Sequence, residues 1–107
     1  MMKEIIYDKL VRDNIPSIIE KAGKKCETEV LSQEKYVEAL DKKLDEELME
    51  YHKDKNAEEL ADLLEVVYAV AVARGYTREA IEDIRAKKAE ERGGFQRKIL
   101  LKKVIEK

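Results

Sequence analysis

Apolar residues recur three and four positions apart in two consecutive stretches of this chain. Val37, Leu40, Leu44, Leu48 and Tyr51 keep that spacing behind Ser32, whose hydroxyl suits a helix cap, so a first long helix is predicted to run to about residue 53. "KDKN" breaks the pattern, and Asn56 is placed to cap a second long helix over about 57 to 74. The two are expected to form a hairpin. In the second, Leu60, Leu63, Leu64, Val66, Val67, Val70, Ala71, Val72 and Ala73 leave almost no polar side, the pattern of a helix covered from several directions. Gly75 ends it, and Thr77 suits the cap of a further helix, about 78 to 92, with Ala80, Ile81 and Ile84 inward and Gly93 and Gly94 as its stop. Near the N-terminus, Pro16 and Gly23 bracket a short helix over about 14 to 22.

Two segments depart from the helical period. "KCETEVL" alternates Cys26, Thr28 and Val30 against Lys25, Glu27 and Glu29, and the closing "FQRKILLKKVIEK" alternates loosely around Ile99 and Leu101. The expectation is therefore an all-α protein: an antiparallel bundle of about four helices, with short extended segments near residues 26-31 and 96-104, the second a short strand or an extended arm, with the segment near Val30 as a candidate pairing partner. The apolar girth of the second long helix exceeds what short helices of one chain can cover, which predicts an oligomer, a homodimer or a dimer of dimers.

Composition narrows the function classes. The 107 residues suit one domain, 1-107, and a hydrophobic content of 44% suits a globular core. Charged residues make up 43% but nearly balance, at a net charge of -2, so no basic field points to a nucleic acid polymer. Cys26 is the only cysteine, which excludes an internal disulfide and fits a reducing cytoplasm. No stretch has the apolar length of a membrane span, and the N-terminus lacks the apolar run of a signal peptide.

The chemistry lies in the acids. Residues three apart on a helix share a face, so Glu47 and Glu50 project together, as do Glu59 and Asp62 on the next helix, and the hairpin turns the pairs toward each other. Four carboxylates beside an apolar seam repel unless a cation lies between them, and hard oxygen ligands suit Mg²⁺, with Mn²⁺ a substitute. Each acid taken singly also reads as a solvated helix residue, and Glu59, three after Asn56, as part of a capping box. A di-iron helical site needs Glu-x-x-His; His52 stands two residues after Glu50, so that reading fails and His52 is expected to be exposed.

"EELME" at 46 to 50 followed by "ELAD" at 59 to 62 resembles the paired acidic signature, EExxE then ExxD, of the all-α nucleoside triphosphate pyrophosphohydrolases, the MazG-like superfamily. "YDKLVRDNIP" at 7 to 16, "KKLDEE" at 42 to 47 and "KKAEERGGF" at 87 to 95 are similar to its phosphoribosyl-ATP pyrophosphohydrolase-like subgroup, so the resemblance covers most of the chain. It implies Glu47, Glu50, Glu59 and Asp62 as Mg²⁺ ligands, and cleavage of the α,β phosphoanhydride of a nucleotide to a monophosphate and pyrophosphate. Glu46, beside the ligands, is the candidate catalytic proton acceptor or holder of a further metal, and a solvated Glu46 is an equal alternative.

A triphosphate adds about four negative charges to such a site, so cations belong near it. The resemblance implies phosphate contacts for Lys43, one turn before Glu47, and for Lys88 and Arg92, with Gly93 and Gly94 allowing backbone amides to approach an anion. Lys9 and Arg12 are further phosphate candidates, and Arg12 is equally suited to tying its loop to the acids. Tyr7 reads as a core aromatic before it reads as a base-stacking one. The expected activity is house-cleaning hydrolysis of a nucleoside triphosphate or related nucleotide. Phosphoribosyl-ATP hydrolysis in histidine synthesis is the alternative, and a non-catalytic helical interaction module is the rival of another class.

Overall fold

The computed structural model describes residues 3–106, which form four helices and no strand: α1 (Ile15–Lys21), α2 (Gln33–Asp54), α3 (Ala57–Ala73) and α4 (Arg78–Arg92). Their starts lie where the cap residues placed them. The Ser32 hydroxyl accepts from the Lys35 amide at 3.3 Å, the Asn56 side chain from the Glu59 amide at 2.9 Å, and the Thr77 hydroxyl from the Ala80 amide at 3.0 Å. Pro16 stands in the first turn of α1, where its missing N–H costs no helical bond. The helix then closes at Gly23, whose φ of +85° only glycine adopts freely.

The chain divides into two units, Met1–Tyr76 and Thr77–Lys107. In the first, α2 and α3 pack on each other as an antiparallel hairpin. The turn is tight: Lys55 takes a left-handed φ of 50° and donates its N–H to the Tyr51 carbonyl, and Asn56 opens α3 at once. At the far end, the Gln33 amide donates to the Ala73 carbonyl and Arg74 pairs with Asp41 at 2.8 Å, so both ends of the hairpin are tied. Leu40, Val66 and Ala71 are the buried residues among those described, all on these two helices. Of the first unit's loops, the one before α1 reaches the hairpin through the ion pairs of Lys9 and Arg12. The second unit contains α4 and the segment after it. Ala80 and Ile81 are half-buried, whereas Ile84, expected inward, is 52% exposed.

The two extended segments do not form strands. Neither residues 26–31 nor 96–104 take part in a ladder, and Val30, Ile99 and Leu101 are exposed. Alternation alone cannot hold a strand, because its backbone groups need a neighbour to pair with. No helix among the described residues is long and apolar enough to cross a membrane.

Candidate functional site

The end of the hairpin nearest the turn collects acids. Glu47 lies on α2 about two turns before its end, and Glu59 and Asp62 lie in the first turns of α3, so the short turn brings them level. Carboxylate oxygens of Glu47, Glu59 and Asp62 all lie within 4.8 Å of one another, at half-buried positions. A second group shares Glu59 and adds Glu50 and Asp54, both exposed. Three of the four predicted ligands thus converge, and Glu50 stands with Asp54 in the adjoining group. Asp54 was missed by the sequence reading although its position four residues after Glu50 on the same helix was the signal that could have found it. The capping role of Asn56 toward the Glu59 amide coexists with the grouping of the Glu59 carboxylate.

Three cations stand against these acids among the described residues. Lys43 Nζ lies 3.2 Å from Glu46 Oε1 and 3.3 Å from Glu47 Oε1, Lys9 Nζ lies 2.9 Å from the same Glu46 oxygen, and Arg12 Nη2 lies 2.7 Å from Asp62 Oδ1. Of the two roles open to Arg12, the structure shows the tie to an acid. Partial desolvation opposes ionisation of Glu46, but its hydrogen bonds from Lys9 and Lys43 outweigh that and hold its carboxyl below the ordinary range. The bond to Glu46, with the charge of that group, raises Lys9 in turn. So paired, Glu46 is a weak proton acceptor. At Glu59 the balance runs the other way: desolvation, then repulsion from Asp62, Asp54, Glu50 and Glu47, lifts its carboxyl above the ordinary range.

The Glu46 pairs give a modest, pH-bounded prediction. A lowered carboxyl contributes its stability above the usual value of 4.5 and loses it as pH falls through the folded value. A raised lysine contributes below 10.5 and loses it as pH climbs through its own folded value. Glu46→Gln is therefore expected to cost about 0.5–1 kcal/mol at neutral pH, since both pairs are partly exposed and screened. Urea denaturation at pH 7 and at pH 3 checks this: the difference between wild type and variant should be smaller at the lower pH.

The donor set fits a hard divalent cation. All the ligand atoms are carboxylate oxygens, and opposite ligands of Mg²⁺ or Mn²⁺ stand about 4 Å apart, inside the spread of the Glu47, Glu59 and Asp62 group. Lys88 and Arg92 are exposed on α4, Arg92 in its last turn, and Gly93 follows with a φ of +84°. Tyr7 is 65% exposed and not a core aromatic; the Lys9 ammonium lies 5.8 Å from its ring centre. His52 is exposed, as expected, with its ring 5.8 Å from that of Tyr51.

No family model matches this chain, and no curated protein and no solved structure matches it either.

Proposed function

We propose that this chain is a Mg²⁺-dependent nucleotide pyrophosphohydrolase that works in the cytoplasm as a homodimer or dimer of dimers and acts on a nucleoside triphosphate or related nucleotide. The observation that carries the reading is the convergence of Glu47, Glu59 and Asp62 from two consecutive helices, with Lys43 ion-paired to Glu47 beside them. When bound there, the metal would offset phosphate charge and lower the pKa of the attacking water. Glu47, Glu59 and Asp62 would hold it, with Glu50 at the edge of the group.

Lys9 and Lys43 are the natural phosphate contacts in this arrangement, because each already faces the acids on a mobile-headed side chain. As they move from the Glu46 carboxylate to the substrate, Glu46 loses the bonds that depress its pKa and becomes able to take the proton of the attacking water. The water oxygen bonds to phosphorus, the bond from that phosphorus to the bridging oxygen breaks, and pyrophosphate leaves with the electron pair. Lys88 and Arg92 are assigned to the phosphates by resemblance alone.

The test is pyrophosphate release from a panel of nucleotides that includes phosphoribosyl-ATP, with and without Mg²⁺. Turnover restricted to the metal-containing arm, and lost in Glu47→Gln and Asp62→Asn at unchanged helix content, is the expected result. Wild-type turnover in both variants at saturating Mg²⁺ would remove the ligand assignment. A panel without a single hydrolysed member would leave the helical interaction module as the better reading.

A further inference from the structure

Two cations reach the acidic end of the hairpin from outside it. Lys9 pairs with Glu46 on α2 at 2.9 Å and Arg12 with Asp62 on α3 at 2.7 Å, so the span from Lys9 to Arg12 holds to both helices. Its reach suits the crossing, since three residue steps cover at most about 10 Å and the axes of packed helices stand about 8–10 Å apart. Asp8, at a left-handed φ of 45°, bends the chain just before this span, and the Ile15 N–H donates to the Arg12 carbonyl at 3.0 Å just after it. Residues 9–12 therefore form a strap across the hairpin.

Little but charge holds the strap down. Leu10 is half-buried, whereas Ile5, Ile6, Tyr7 and Val11 around it are exposed. Both ion pairs are partly open to solvent, the kind of pair that contributes least to stability. Lys43 differs, because it stands on α2 itself beside Glu46 and Glu47 and cannot withdraw from them. Asp62 belongs to the group with Glu47 and Glu59, so a metal ion seated there meets the repelling charge of Arg12 at one of its own ligands. Lys9 and Arg12 together carry the charge of one divalent ion, so exchanging one for the other leaves the charge balance of the acids unchanged.

We propose that residues 9–12 are a self-blocking strap: Lys9 and Arg12 are built-in counter-ions of the acidic group, a divalent cation displaces them, and the loop leaves the hairpin as the cation binds. The cation site itself rests on the proposed function; the competition and the release are new. Coupling of this kind is reciprocal, so the factor by which the closed strap weakens cation binding is the factor by which the cation opens the strap.

Two measurements on the full chain test this. In calorimetric titration with Mg²⁺ or Mn²⁺, Arg12→Gln is expected to bind the cation about two- to five-fold more tightly than wild type, the range open to a partly exposed pair. Trypsin cleavage after Lys9 and Arg12, followed by mass spectrometry at matched ionic strength, is expected to run about two- to five-fold faster in wild type saturated with the cation, because cleavage tracks the open population. Cleavage after Lys102 and Lys103, which are exposed and outside the strap, serves as the unchanged reference. A wild type that binds no divalent cation overturns the metal site and the strap together. A wild type that binds the cation while Arg12→Gln binds it equally or more weakly, or whose cleavage after Lys9 and Arg12 is not accelerated, overturns the strap and leaves the metal site standing. Circular dichroism confirms folding, and should Arg12→Gln unfold, Lys9→Gln replaces it with the same expected gain in cation affinity.

Discussion

Glu59→Gln is expected to make the metal-free protein melt at a higher temperature while costing it divalent-cation binding and, with it, hydrolysis. Both effects have one origin. Glu59 belongs to both acidic groups, and desolvation together with Asp62, Asp54, Glu50 and Glu47 raises its carboxyl. A carboxyl raised by folding penalises the folded state once it ionises, so the penalty is absent below the usual value of 4.5 and complete above the raised folded value. Glutamine keeps the shape and carries no penalty at any pH. The gain in melting temperature over wild type should therefore be absent in acid and present at neutral pH. The loss of cation affinity should exceed the roughly 10–100-fold that even outer partners of a metal site control. Thermal melts with and without Mg²⁺, at acid and neutral pH, check this. A variant that melts below wild type without metal, or is stabilised by Mg²⁺ as strongly as wild type, would contradict the shared site.

Leu40→Ala is expected to cost about 2–5 kcal/mol of unfolding free energy, the range for deleting a buried leucine side chain. Leu40 is the most buried residue described, at 5% exposed, and Val66 and Ala71 are the other buried residues among those described. A domain is stable by only about 5–15 kcal/mol, so this one change should remove a large share of the total. Leu40→Met keeps most of the volume and should cost less than about 1.5 kcal/mol. Urea midpoints at one fixed protein concentration separate the two, since association adds to apparent stability. Equal and small losses would mean that the α2–α3 seam is not what holds the first unit together.

The helices were legible because what makes a helix is local. Ser32, Asn56 and Thr77 sit three residues before the amides they accept from, and Gly23 and Gly75 supply positive φ where helices close, so bounds followed from neighbours in sequence. The acidic group was legible nearly as well, since three-residue spacing on each helix and one short turn between them are enough to bring Glu47 to Glu59 and Asp62. The pairing of the two extended segments was not legible, because a strand needs a partner and alternation says nothing about whether one exists.

What only the tertiary structure decided is which charges meet across distance. Lys9 finds Glu46 from 37 positions away, and Arg12 finds Asp62 from 50, and no spacing rule reaches so far. The same holds for two of the acids: Glu46 and Glu59 are the same residue type on neighbouring helices, yet two lysines pull one down while desolvation and four carboxylates push the other up. Sequence by itself determined where the backbone winds and which faces are apolar or acidic, because those depend on residues a turn apart. Which acid is paired, which is crowded and which side of α3 is left uncovered depend on how separate segments come together in space, and Coulomb interactions and burial act through that distance and not along the chain.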